Sequence, residues 1–256
     1  MDRRPVHRSP HVEGARVRVD GQLVRYRAVG DGPPVLLVHG LGGSPRWWSR
    51  TTQALAEVHR VILPELPGFG FGLRFGAERV PFRLAEAPDV LHGLMDRLGI
   101  SGARLVGHSL GALACAGVAA RAPGRVERLV LIAPPVRTAA SGLLGNALPA
   151  ARTILALPLA AAITVATDIA ARSPLTLLRA AGELLVGEHA ADLARILVPT
   201  LLLWGARDVL VPTSGAAELA AAMPRCQLRV IPGAGHVPML DRPDDLTREL
   251  RDFLAA

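Results

Sequence analysis

The feature that most constrains the fold is a series of short apolar runs separated by segments of helical periodicity. The clearest runs are Val35–Val38 and Leu201–Trp204, which contain no polar residue. A strand buried on both faces meets no water, so it needs no alternation of polar and apolar residues. Further strands are predicted at Arg60–Leu63, Arg104–Gly107, Val126–Ile132 and Gln227–Ile231. Strands of this kind, alternating with helices, predict an α/β fold with a mostly parallel sheet covered on both faces.

The segments between these runs have helical spacing and helical start and stop signals. Helices are predicted at Pro45–Val58, Leu84–Leu98, Leu110–Arg121, Ser214–Ala222 and Asp244–Leu254. Ahead of all of them, residues 16–29 alternate around Asp20-Gly21, a dipeptide typical of tight hairpin turns. We therefore expect an antiparallel hairpin to precede the parallel part of the sheet.

One long segment carries no strand pattern and suggests the domain organisation. Residues 135–196 are rich in Ala and Leu and contain Pro149, Pro158 and Pro174, which predicts several short helices. A helical insertion at the carboxyl edge of a parallel sheet lies over the place where such folds bind ligands. We interpret it as a cap, with packing helices of no functional role as the alternative. Residues 14–134 and 197–256 then form the core, and residues 1–13 a flexible arm.

Charge and composition exclude several classes of function. The net charge is +7, yet every basic residue is Arg, the arginines are scattered, and aromatic residues make up only 4%. A nucleic-acid-binding surface needs clustered cations with interleaved aromatics, so we expect no nucleic-acid partner. Weak contact with an anionic membrane surface stays open. The apolar stretch Thr153–Thr167 is shorter than the ~20 residues of a membrane span and is interrupted by Pro158, so no transmembrane helix is expected.

The small number of cysteines and the lack of an apolar N-terminal segment limit the expected cofactors and location. Cys115 and Cys226 are the two cysteines, too few for a disulfide framework or a structural zinc site. We expect neither a metal nor an organic cofactor. Residues 1–13 lack the apolar core of a signal peptide, so a cytoplasmic location is expected. The oligomeric state cannot be predicted.

The strongest chemical signal is Gly107-His-Ser-Leu-Gly111, a G-x-S-x-G pattern between a predicted strand and a predicted helix. This context is typical of a nucleophile elbow, in which the serine sits on a strained turn. Side chains at the two glycines would collide with the neighbouring strand and helix. We predict Ser109 as the nucleophile; the alternative is an ordinary helix N-cap.

A serine hydroxyl needs a base that is held by a third group. His236 follows the last predicted strand on a glycine-rich loop, and Asp208 follows the strand Leu201–Trp204. Both reach the carboxyl edge of the sheet, and the chain order Ser, Asp, His is the one this architecture requires. Glu65 and Asp241 are the rival acids, and a solvated loop residue is the alternative for His236.

A developing oxyanion requires two preorganised donors. The Leu110 backbone amide stands at the start of the helix after the nucleophile. We expect the second donor to be the Leu41 amide in the loop His39-Gly-Leu-Gly-Gly43, since glycines allow a tight turn there. An ordinary strand-to-helix turn is the alternative.

Taken together, several motifs resemble the α/β-hydrolase family over residues 16–254. They are His39-Gly-Leu-Gly-Gly43, Leu66-Pro-Gly-Phe-Gly70, Gly107-His-Ser-Leu-Gly111, Trp204-Gly-Ala-Arg-Asp208 and Gly235-His236. The resemblance implies an eight-stranded sheet with a cap after the sixth strand. It also implies triad roles for Ser109, Asp208 and His236 and oxyanion roles for Leu41 and Leu110. The chain departs from the pattern at Phe71-Gly72, where the family usually has a polar or charged residue followed by Ser, and at Leu73–Val80.

The nucleophile narrows the expected reaction. Branches of the family that cleave epoxides or carbon–halogen bonds use Asp at the elbow, so Ser109 favours acyl transfer. We expect an esterase of lipase-like type that acts on small to medium apolar esters. The expected substrate contacts are Gly40, Trp48, Phe69, His108, Val209 and Val237. Helix packing is the alternative for Trp47 and Trp48.

Three other functions stay open from the sequence. One is hydrolytic carbon–carbon cleavage of a vinylogous diketone, which would need a cationic cap residue such as Arg152, Arg172 or Arg179. Another is a receptor-like ligand-binding module that keeps a slow triad. A third, close to the esterase itself, is an accessory lipase that acts at membranes. Turnover of esters against diketones, and the number of turnovers per protein, separate these functions.

Overall fold

A computed structural model describes residues 12–69, 83–135, 142–186 and 193–255. These residues form an eight-stranded sheet of order β1-β2-β4-β3-β5-β6-β7-β8. Its strands are β1 Val12–Val19, β2 Gln22–Val29, β3 Pro34–Val38, β4 Arg60–Pro64, β5 Ala103–His108, β6 Val126–Ile132, β7 Thr200–Gly205 and β8 Cys226–Ile231. The mostly parallel sheet predicted from the apolar runs is confirmed.

The antiparallel part of the sheet lies at one edge. β1 and β2 pair in an antiparallel hairpin whose turn places Asp20 at φ 46° and Gly21 at φ 80°. These positive φ values are tolerated best by Asn, Asp and Gly, which accounts for the dipeptide. β2 also runs antiparallel to β4, whereas β3 to β8 pair in parallel. All the parallel strands therefore end at the same edge.

Helices cover both faces of the sheet and fill the segment between β6 and β7. The helices are α1 Ser49–Leu55, α2 Ala87–Arg97, α3 Leu110–Arg121, α4 Gly142–Leu155, α5 Leu159–Ala170, α6 Pro174–Val186, α7 Ala216–Ala222, α8 Pro238–Asp241 and α9 Pro243–Ala255. Helices α4 to α6 thus follow the sixth strand, as predicted. No described helix is both long and apolar enough to cross a membrane.

The core lies in two layers, one on each face. Leu94 of α2 and Cys115 of α3 are fully buried on one face. Leu55 of α1 and Leu250 of α9 are fully buried on the other. Burying one leucine side chain contributes ~1.5–3 kcal/mol, so the two layers together provide the main driving force for folding. They fix the strands from both sides and leave the carboxyl edge for the loops.

Three predicted helices begin differently in the structure, and one of them is Ser214–Ala222, where a 3₁₀ turn at Thr213–Gly215 precedes α7. Pro45–Val58 is divided into a 3₁₀ turn at Pro45–Trp48 and the helix α1, which ends at Leu55. The helix ends early because the chain turns there into β4, with the His59 amide bonded to the Leu55 carbonyl at 2.9 Å. The segment predicted as Leu84–Leu98 likewise opens with a 3₁₀ turn.

Some predicted boundaries differ from the structure or lie beyond what it describes. β1 begins at Val12, so the boundary predicted at residue 14 falls inside a strand. Residues 1–11 of the predicted arm, the unusual stretch 73–80, and residues 136–141 and 187–192 of the predicted cap lie outside the described residues.

Candidate active site

Ser109 occupies a strained turn between β5 and α3. Its φ is 52° and its ψ is −118°, in a region that costs a non-glycine residue ~1–3 kcal/mol. A Cβ at Gly107 would lie 2.3 Å from the Gly111 carbonyl oxygen, and one at Gly111 would lie 2.5 Å from the His39 carbonyl oxygen. The two glycines therefore allow the close contact between strand, helix and β3 that holds the serine in this conformation.

Asp208 and His236 are joined at the same edge of the sheet. His236 Nδ1 lies 2.8 Å from Asp208 Oδ2, and both side chains are buried. Because a carboxylate can only accept, Nδ1 carries the proton, and in the neutral form of the ring Nε2 then has the free lone pair. The other Asp208 oxygen accepts from the amides of Leu210 at 2.9 Å and Val211 at 2.8 Å. The carboxylate is thus oriented by two backbone donors and in turn orients the imidazole.

The loops that carry these two residues are bonded to each other. The Arg207 amide donates to the Ala234 carbonyl at 2.8 Å. At the end of β7, a Cβ on Gly205 would lie 2.1 Å from the Gly235 carbonyl oxygen. Only glycine lets the two loops approach this closely, so the position of His236 depends on the end of β7.

His108, directly before Ser109, links the elbow to the histidine loop. Its Nε2 donates to the His236 carbonyl at 2.8 Å, and the two imidazole rings are 4.9 Å apart. Burial, together with the nearby His236, lowers the pKa of His108 well below its usual value, so the ring is neutral. Among the described contacts, no hydrogen bond joins the Ser109 hydroxyl to the His236 ring. In enzymes without substrate this contact is commonly long.

The β3–α1 loop, residues 39–44, lies against the elbow. A Cβ on Gly40 would be 3.1 Å from Ser109 Cβ. The Gly43 amide donates to the Gly40 carbonyl at 3.0 Å, which closes a four-residue turn with Leu41 and Gly42 at its centre. In the described part of the chain, no backbone carbonyl accepts from the amide of Leu41 or Leu110.

His39 fixes the first half of this loop. Its Nδ1 donates to the Gly40 carbonyl at 2.9 Å, and its Nε2 accepts from the Leu66 amide at 3.2 Å. Burial, reinforced by the Arg172 charge, lowers the pKa of His39 to about 4. The ring is neutral at physiological pH, as this pattern of one donor and one acceptor requires.

The residues predicted to contact substrate differ in their surroundings. Trp48 is fully buried in the core, which favours the packing alternative for it. Phe69 is also fully buried and packs edge-on against His39, with ring centroids 5.7 Å apart. Val237 is buried beside His236, whereas Val209, beside Asp208, is 48% exposed. A direct substrate contact stays a prediction for each of them.

Sequence reasoning gave Asp168 of α5 no role, and it considered Arg172, in the turn after α5, only as a cation for an acidic substrate. Asp168, with no exposed surface, accepts hydrogen bonds from Ser44 and Trp47, and Arg172 donates to the Gly43 carbonyl. A signal for Asp168 was present, since it is the one acid in the apolar helix Leu159–Ala170. An isolated charge in such a helix indicates a buried polar partner.

Comparison with known proteins places this chain in a known family. The chain belongs to the alpha/beta hydrolase family, whose sequence model matches residues 35–249. The family resemblance predicted from the motifs is therefore confirmed, and the protein is a hydrolase.

Three similar proteins indicate the range of the family around this chain. Pimeloyl-[acyl-carrier protein] methyl ester esterase of Photobacterium profundum is 27% identical, over 90% of this chain and 97% of that protein. The solved structure of a membrane phospholipase A described as a bacterial virulence factor is 25% identical, with a TM-score of 0.81, over 95% of this chain and 86% of the other. The solved structure of a meta-cleavage product hydrolase from Pseudomonas fluorescens IP01 is 25% identical, with a TM-score of 0.78. The match covers 94% of this chain and 97% of that one.

Proposed function

We propose that the protein is a serine hydrolase that cleaves carboxylic esters of small to medium apolar substrates through an acyl-enzyme intermediate. The observation that carries the proposal is the 2.8 Å hydrogen bond from His236 to Asp208 at the sheet edge that also bears the strained Ser109 turn. This pairing leaves His236 Nε2 as a base for a serine hydroxyl. The similarity to a methyl ester esterase supports the same reaction class.

The reaction follows from the chemistry of these groups. Ser109 Oγ attacks the ester carbonyl while His236 Nε2 takes the hydroxyl proton, and Asp208 stabilises the imidazolium. The Leu41 and Leu110 amides donate to the oxyanion of the tetrahedral intermediate. His236 then protonates the leaving alcohol, and in the second half it activates the water that releases the acid.

Carbon–carbon hydrolysis is the second candidate, favoured by the similarity to a meta-cleavage product hydrolase. It needs a cation for the acid group of its substrate. Arg152 and Arg179 are exposed, whereas Arg172 is buried and bonded to the Gly43 carbonyl. Because Arg172 already serves the β3–α1 loop, the ester reaction is favoured.

We further propose that the protein contacts a membrane surface. Leu155 and Leu159, where α4 meets α5, are 82% and 78% exposed. Residues 142–186 contain two acids: Asp168 is buried, and Glu183 accepts from the Leu84 amide. The exposed charges of α4 to α6 are therefore the arginines. Exposed leucines beside cations suit the surface of an anionic membrane.

A substrate screen tests the function. Chromogenic acyl esters of increasing chain length and vinylogous diketones are offered to the wild type, to Ser109→Ala and to the matched control Ser101→Ala on an exposed loop. We expect ester turnover that falls by ~10⁴-fold or more in Ser109→Ala and stays unchanged in Ser101→Ala. Preferential turnover of diketones would support the second candidate. About one turnover per protein would support the receptor-like module, and undiminished turnover by a folded Ser109→Ala would exclude the triad.

A further inference from the structure

The second half of the β3–α1 loop is held by the end of α5 and the turn that follows. Asp168 Oδ2 accepts from the Ser44 hydroxyl at 2.7 Å and from the Trp47 indole N–H at 2.9 Å. Four residues further on, Arg172 Nη2 donates to the Gly43 carbonyl at 2.9 Å. Two side chains one helical turn apart therefore bind consecutive residues of the loop.

These contacts lie next to the turn that presents the Leu41 amide. Gly43, the residue held by Arg172, also closes that turn through its amide bond to Gly40. Gly42 has a φ of +71° at the third position, as a type II turn requires. A Cβ on Gly42 would lie 3.0 Å from Ile169 Cγ1, so α5 also contacts the turn directly. A shift of Gly43 or Ser44 would therefore move the Leu41 amide.

The burial of these two charged side chains indicates that they position the β3–α1 loop and add little to the stability of the fold. Asp168 is fully buried, and Arg172 is 2% exposed. Burial lowers the pKa of Arg172, while Asp168 and Glu65 partly oppose that shift. Buried charges lose hydration, and even when they are paired they add little net stability compared with apolar side chains of the same size. Asp168 also lies 3.8 Å from the Arg46 guanidinium. What the two buried side chains provide is fixed hydrogen-bond geometry, here directed at one loop.

We propose that Asp168 and Arg172 are positioning residues that set the Leu41 amide for oxyanion binding, so that α5 completes the oxyanion hole. The inference rests on the proposed ester hydrolysis. It links the helical insertion to the chemical step, since displacement of α5 from the loop would slow the reaction even with the triad intact.

The test uses three variants and one control in the full-length protein. Asp168→Asn/Arg172→Met removes both buried charges together, because a single remaining buried charge would destabilise the protein on its own. Arg172→Met removes the Gly43 contact, and Arg172→Lys keeps the charge and can still donate to the carbonyl. The control is Thr164→Ala, whose hydroxyl bonds only within α5, to the Ala160 carbonyl. Each variant is measured for kcat and KM with a soluble ester, inhibition by an arylboronic acid, and thermal unfolding.

Arylboronic acids form a tetrahedral adduct on serine whose oxygen occupies the oxyanion position, so they report on this site. We expect kcat to fall about 10- to 100-fold in the double variant and in Arg172→Met, less than the ~10²–10³-fold loss of a whole donor. KM should change less than about twofold, the boronic acid Ki should rise in parallel with the loss in kcat, and Arg172→Lys should recover most of the rate.

Other results would overturn the inference. If the folded variants keep wild-type kcat, or if kcat falls while the boronic acid Ki does not change, α5 does not position the amide. If only thermal stability changes, the pair has a structural role alone. Failure of the proposed function looks different, since the wild type would then hydrolyse no ester and bind no boronic acid.

Discussion

The residues at the elbow adopt a reactive geometry at the cost of local stability. Ser109 has a backbone conformation that L-residues avoid, and the surrounding glycines permit it by letting backbones touch. Gly111 lies in the first turn of α3, where alanine would normally favour the helix. Contact with the backbone of Val38 and His39 outweighs that preference. The strain and the close packing at the elbow therefore depend on each other.

We expect Gly111→Ala to destabilise the protein by ~1–3 kcal/mol because its Cβ would lie 2.5 Å from the His39 carbonyl oxygen and 2.6 Å from that of Val38. The matched control is Gly182→Ala in α6, where nothing lies within 4 Å of the added Cβ. Helix propensity alone should make Gly182→Ala neutral or up to ~1 kcal/mol more stable. Chemical denaturation measures the unfolding free energy of both variants. Equal changes would show that the close backbone contact at Gly111 does not cause the destabilisation.

The buried His39 predicts a loss of stability in mild acid. Its pKa is about 4 in the folded protein and 6.5 when solvated, so the unfolded chain binds the proton more tightly. Stability from this residue is complete above pH 6.5 and is lost as the pH falls toward 4, by about 3 kcal/mol. His108 acts in the same direction, whereas Asp241, whose pKa is raised by burial, opposes it.

Comparison with His39→Gln isolates this contribution. We expect the unfolding free energy of the wild type to fall more steeply between pH 7 and pH 4 than that of the variant, as measured by urea denaturation at each pH. Parallel curves for the two proteins would show that His39 is not held neutral by the fold.

Loops after β7 and β8 decide which acid serves the histidine. Asp208 is bonded to His236, while the rival Asp241 accepts from the Gly235 amide at 2.6 Å. Asp208→Asn should lower kcat by ~10⁴-fold, since an amide holds the imidazole in the wrong tautomer. Asp241→Asn should keep kcat within about tenfold, because its role is to hold the loop. Steady-state kinetics with a soluble ester separate the two, and a larger loss in Asp241→Asn would reverse the assignment.

Some of these elements could be predicted from the sequence, and others could not. The strands and the elbow were predictable because their sequence signals, an apolar run and a G-x-S-x-G pattern, are each contained within a few neighbouring residues. The bond between Asp168 and Ser44 joins residues 124 positions apart, so no local pattern contains it. The 3₁₀ starts at Pro45 and Leu84 were also missed, since helical periodicity does not distinguish a 3₁₀ turn from the first turn of an α-helix.

The whole molecule combines a positive charge with an apolar helical surface, which predicts binding to anionic membranes. Wild-type protein should sediment with vesicles of phosphatidylglycerol and phosphatidylcholine, and less with phosphatidylcholine alone. Leu155→Ser/Leu159→Ser should weaken this binding at least threefold. Val58→Ser, at an exposed apolar site (59%) outside α4 to α6, should not. Equal binding by all three proteins, or a change of oligomeric state in the double variant, would contradict a membrane role for this surface.

Catalysis should depend on one reactive side chain among the eight serines of the chain. The most direct measurement is labelling of the native protein with a fluorophosphonate, followed by peptide mapping by mass spectrometry. We expect a single adduct on Ser109, absent after heat denaturation and after His236→Ala. An adduct on a different residue, or ester turnover by protein that carries no adduct after complete treatment, would contradict it.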